Sequence, residues 1–88
     1  MKKNLNVKKF ESNLRKEFVK LYENCYIELD NFNVNYFAET IMIKVAFGRY
    51  GTEEEQFYEG YYYSELSQKV NIGIFLGGII SMFNDKGR

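Results

Sequence analysis

A chain of 88 residues, 45% hydrophobic and 27% charged, is too short for several domains and too apolar to be disordered, so one globular domain over 1–88 is expected. Histidine is absent and cysteine occurs once, at Cys25, which excludes the usual zinc sites, the commonest general base and an internal disulfide. The formal net charge is zero, so neither a strongly basic nor a strongly acidic protein is present.

Zero conceals an ordered split. Residues 1–20 hold Lys2, Lys3, Lys8, Lys9, Arg15, Lys16 and Lys20 against Glu11 and Glu17, a net of +5. Residues 21–65 hold nine acids against Lys44 and Arg49, a net of −7, and the remainder returns +2. Two outcomes follow from such an order: opposed surface fields, or mutual neutralisation inside the fold. The basic start MKKNLNVKKF is not followed by a long apolar run, which argues against a secretory signal. The charge-free stretch 70–84 is shorter than the ~20 residues a membrane span needs. With a lone thiol, a soluble protein in the reduced cytoplasm is expected.

The first predicted element is an amphipathic helix. Val7, Phe10, Leu14, Phe18, Leu21 and Cys25 recur at three- and four-residue intervals and fall on one stripe. Lys8, Lys9, Arg15, Lys16 and Lys20 occupy the opposite side, and Asn24 is a suitable stop. A short alternating strand is expected near 25–30, then an Asn-rich loop to about Asn35. Over 36–47, Glu39, Ile41, Ile43, Val45 and Phe47 alternate with Thr40, Met42, Lys44 and Ala46, and the β-branched content favours a strand. A helix ending at Gly48 competes, because Phe37, Ile41 and Val45 also stand four apart.

The stretch GTEEEQFYEGYYYSEL (51–66) packs five glutamates and five rings together without a basic residue. Thr52 and Glu55 have capping-box spacing, which predicts a helix after Thr52 with Tyr58, Tyr62, Leu66 and Val70 on one face. Gly60 weakens that prediction by about 1 kcal/mol relative to alanine. The end, VNIGIFLGGIISMFND, is apolar on every side and reads as a helix over about 67–83, with a buried strand at 72–76 as the alternative. If its far side stayed exposed, Ile72, Phe75, Ile79 and Phe83 would form a homodimer surface or a partner site. The fold class is therefore α+β: an N-terminal amphipathic helix on a small antiparallel sheet, with a C-terminal helix or helices.

No catalytic motif accompanies these elements. There is no phosphate loop, and Glu53–Glu55 lacks the spacing of a calcium loop. Glu28, Asp30 and Glu39 with Lys44 could in principle serve a metal-dependent nuclease, but they also read simply as strand-edge and turn charges. A non-enzymatic protein without cofactor or metal is expected, its partner site being Glu53, Glu54, Glu55, Tyr58, Glu59, Tyr61, Tyr62, Tyr63 and Glu65. Carboxylates on a folded surface imitate phosphates, and tyrosine offers a broad ring with a hydrogen-bonding tip.

In these stretches, Glu53-Glu54-Glu55-Gln56-Phe57-Tyr58-Glu59 and Tyr61-Tyr62-Tyr63-Ser64-Glu65, the chain resembles in style the small phage-encoded anti-CRISPR and DNA-mimic inhibitors. The resemblance implies inhibition of a nucleic-acid-handling protein without turnover. DNA mimics are usually acidic overall, whereas this chain is neutral, which implies a two-faced contact. Two further readings stand beside it. Lys8, Lys9, Arg15, Lys16 and Lys20 suit phosphate contacts in a small nucleic-acid-binding protein. A charge-split chain with an apolar end also suits an oligomeric accessory protein.

Overall fold

The structure, a computed structural model, describes residues 7–86, with burial to residue 84. Lys2, Lys3 and the tail residues Gly87 and Arg88 lie outside the described residues. The order is α1 (Val7–Leu21), β1 (Cys25–Asn35), β2 (Thr40–Arg49), β3 (Glu55–Tyr63) and α2 (Gln68–Lys86). The strands form an antiparallel sheet in the order β1-β2-β3, and both helices pack on one of its faces. This is the expected α+β architecture.

Helix α1 turns Phe10, Leu14 and Phe18 into the core and leaves Lys8, Lys9, Arg15, Lys16 and Lys20 exposed. The chain leaves it through Asn24, whose φ of 60° lies in the left-handed region that asparagine tolerates. Strand β1 then runs past the expected end near residue 30, through the asparagines to Asn35. A bulge explains the difference. Leu29 pairs with Val45 and Asn31 with Lys44, so Asp30 is extra and the inward set changes from Cys25, Ile27 and Leu29 to Phe32 and Val34. The bulge lies beside α1, where Glu11 Oε2 accepts from the Leu29 N–H at 2.8 Å and the Arg15 Nε donates to the Ile27 carbonyl at 3.2 Å. Those two side chains, themselves paired at 3.0 Å, cover this part of the sheet edge.

Residues 36–39 form the β1–β2 turn, held by Asn35 Oδ1, which accepts from the N–H groups of Phe37 and Ala38 at 3.0 Å. Strand β2 is the buried spine, as its alternation predicts: Ile41, Ile43, Val45 and Phe47 all face the helices.

The helix expected after Thr52 is a strand. Thr52 caps nothing; its hydroxyl donates to the Arg49 carbonyl at 2.9 Å and tightens the β2–β3 turn. From Glu55 the chain pairs with β2, and the aromatic residues favour the pleated state. Period two then separates Tyr58, Gly60 and Tyr62 on the helix side from Glu55, Phe57, Glu59, Tyr61 and Tyr63 on the other. Gly60 is needed there: a Cβ would stand 3.2 Å from the Phe75 ring and 2.9 Å from Tyr58.

The last segment is a helix, as favoured, but its strip Ile72, Phe75, Ile79 and Phe83 is buried in the chain's own core and offers no dimer surface or partner site. The core is built largely of rings meeting edge-on or stacked. Phe10 lies 5.1 Å from both Tyr62 and Phe75, and Phe83 lies 5.3 Å from Phe47 and 6.1 Å from Phe18. The polar side chain of Asn71 enters it. Asn71, fully buried, accepts from the Tyr63 N–H at 2.9 Å and donates to the carbonyls of Tyr63, Leu66 and Ser67 at 3.0–3.3 Å. It fastens the end of β3 to the start of α2.

Candidate functional site

With both helices on one side, the other face of the sheet is bare. The register lays out its rows across β1, β2 and β3: Tyr26–Gly48–Glu55, Glu28–Ala46–Phe57, Asn31–Lys44–Glu59, Asn33–Met42–Tyr61 and Asn35–Thr40–Tyr63. The central strand carries small residues at one end, and the larger side chains of the outer strands flank it. Ala46 and Gly48 are buried beneath them.

At this end, the Tyr26 hydroxyl donates to Glu55 Oε2 at 2.6 Å, joining β1 to β3 across β2. The bridge needs Gly48, because a Cβ there would stand 3.0 Å from the Tyr26 hydroxyl and 2.7 Å from the Glu54 carbonyl. The hydrogen bond to Glu55, then the loss of water around the phenol and the nearby carboxylate charges, pushes the Tyr26 pKa up to about 12. Tyr50 lies against Tyr26, ring centres 5.4 Å apart.

In the middle, Lys44 Nζ stands 4.9 Å from the centre of the Phe57 ring and 3.9 Å from Asp30. It is one ammonium among Glu28, Asp30, Glu55 and Glu59, so the face is anionic. At the far end Tyr61 and Tyr63 lie 6.4 Å apart. Tyr61 and Met42 also border a groove of about 510 Å³ lined by Asn33, Asn35 and the exposed rings of Tyr36 and Phe37.

The expected partner site is therefore divided. Glu55, Glu59, Tyr61 and Tyr63 come together on the open face. Tyr58 and Tyr62 turn to the helices; Tyr62 is buried, which pushes its pKa up. Glu53 and Glu54 lie in the β2–β3 turn, and Glu65 in the β3–α2 turn, all three exposed. A helix over this segment omits Phe57 as a neighbour of Glu55 and Glu59, and the expected partner site leaves out Tyr26, Glu28 and Met42, which the register brings to the same face. Their signal was available in the period-two pattern once β1 and β3 were both taken as strands.

The basic residues of α1 sit in the other layer. Glu11–Arg15 and Glu17–Lys20, the latter at 3.3 Å, pair within the helix, while Asp30–Lys44 pairs within the sheet. These three contacts do not cross between the basic helix and the anionic face, and the basic side chains of α1 lie in the layer on the other side of the sheet from the acids of that face. Among the described residues, no helix is long and apolar enough to cross a membrane. No protein-family model, curated protein or solved structure matches this chain.

Proposed function

We propose that this protein is a non-enzymatic inhibitor or adaptor whose open sheet face docks on a basic, nucleic-acid-handling protein. The observation that carries the reading is the outward side of β3, where Glu55, Phe57, Glu59, Tyr61 and Tyr63 alternate charge and ring along one strand. The two carboxylates, four residues apart on one face, suit lysines and arginines that otherwise hold phosphates. The rings between them supply rigid contact area at low entropic cost, as residues that dominate interface energies do. The phage-encoded inhibitors that the sequence resembles in style act on partners of this class.

The test is capture from a bacterial lysate at low and high salt, with retained proteins and nucleic acids identified. A nucleic-acid-handling protein held at low salt and lost on Glu55→Lys/Glu59→Lys supports the reading. Retention of nucleic acid alone, lost on Lys16→Glu/Lys20→Glu instead, replaces it with direct binding through α1.

A further inference from the structure

A sheet of this kind has two edges, and they are finished differently. The Glu11–Arg15 pair covers β1 at Ile27 and Leu29. On β3, Asn71 bonds both the N–H and the carbonyl of Tyr63, taking the place of a neighbouring strand at that residue. Backbone groups of alternate residues point to the same side of a strand. The outward groups of Tyr63 therefore place those of Tyr61, Glu59 and Phe57 along the same edge, and no hydrogen bond from another described residue reaches them. The ladder to β2 uses the intervening residues, Tyr58, Gly60 and Tyr62.

The surroundings of that open edge are two-sided. On the bare face Glu59 flanks it, and Glu55, whose Oε2 accepts from the Tyr26 hydroxyl across β2, stands at its start. On the helix face, Tyr58 meets Gly78 of α2, so the row one turn apart along α2, Gly78, Ile74 and Val70, runs beside the edge. Ile74 and Val70 are 43% and 48% exposed, apolar side chains left uncovered where an added strand would lie.

We propose that the β3 edge from Glu55 to Tyr61 takes an extended segment of the partner as a fourth, antiparallel strand, in which basic and apolar residues alternate. Its basic side chains lie beside Glu55 and Glu59; its apolar ones rest on Tyr58 and Ile74. The inference rests on the reading that the anionic face docks a basic protein, and adds how it does so. A second copy of β3 fits less well, because carboxylates of the two strands would crowd on one face. Main-chain bonds to the edge supply affinity, and the alternation supplies specificity.

The probe is a ten-residue peptide of alternating lysine and valine, with two derivatives N-methylated at either the lysine or the valine amides. In the antiparallel pairing the lysine amides face β3. Methylating them weakens binding by about tenfold or more, and methylating the valine amides changes it by less than about threefold. On adding the parent peptide, amide exchange at Phe57, Glu59 and Tyr61 slows by about tenfold or more, while that at Tyr58, Gly60 and Tyr62 changes little. If both methylated peptides bind equally while Glu55→Lys/Glu59→Lys abolishes binding, the strand is refuted and the docking face survives. If the charge-reversed protein binds the parent peptide as well as the original does, the docking face itself is refuted. Protection of the three outward amides that grows with protein concentration, without peptide, assigns the edge to a second copy and overturns the proposal.

Discussion

The two faces of one strand carry opposite instructions. Along β3, Tyr58, Gly60 and Tyr62 are fitted against Phe75, Gly78 and Phe10, and each close contact limits what can replace it. Their neighbours Glu55, Phe57, Glu59, Tyr61 and Tyr63 point to a face that no helix covers. The helix side holds the fold together. The bare side carries charge and rings that pack less closely, among them the Tyr26–Glu55 bridge and the Lys44–Phe57 contact, and it is the face that the proposed docking uses.

The contrast can be broken by mutation, the largest effects falling on the helix side. Phe18→Ala removes a fully buried ring packed among Tyr22, Phe47 and Phe83, and costs roughly 3–5 kcal/mol in denaturant unfolding. That is a large part of the ~5–15 kcal/mol typical of a domain. Asn71→Ala leaves the Tyr63 N–H and its surrounding carbonyls without their partner and costs about 3 kcal/mol by the same measurement. Gly60→Ala drives a methyl against Phe75 and costs roughly 1–3 kcal/mol in thermal melting. Tyr61→Ala, on the bare face, changes stability by less than about 1 kcal/mol, so a cost equal to that of Phe18→Ala would erase the distinction between the faces.

The mildest probe is alkaline titration. Tyr26 is pushed up to about 12 in the folded protein, chiefly by the hydrogen bond to Glu55, against about 10 for an ordinary tyrosine. A folded-state value above the unfolded one means that the contribution is complete below about pH 10 and is lost as pH rises from about 10 to about 12. Glu55→Gln removes the charge that holds the phenol neutral, so phenolate absorbance from Tyr26 appears at lower pH. Gly48→Ala has the same direction, because the added methyl disrupts the bridge.

Much of this fold is legible in the sequence where one periodicity continues unbroken. Phe10, Leu14 and Phe18 mark α1, and Ile41 through Phe47 mark β2, because each stays in phase over its whole length. Strand β1 reads short because the Asp30 bulge shifts the inward set by one residue, which looks like the end of a pattern. For β3, a local capping signal at Thr52 and Glu55 competes with the period-two signal, and pairing with β2 decides between them. Asn71 was invisible, since its value lies in the Tyr63 backbone groups eight residues away. The acidic and aromatic character of the candidate site was plain in the composition of 51–66. Which members share a face followed only from the strand.

The most direct test of the docking face is competition on the retained partner. A labelled nucleic acid that the partner binds is followed by fluorescence polarisation while the protein is added. The account predicts release of the nucleic acid by the original protein, release weakened by about tenfold or more with Glu55→Lys/Glu59→Lys, and undiminished release with Lys16→Glu/Lys20→Glu. A complex in which protein and nucleic acid stay bound together, or release lost only in the α1 variant, would contradict it.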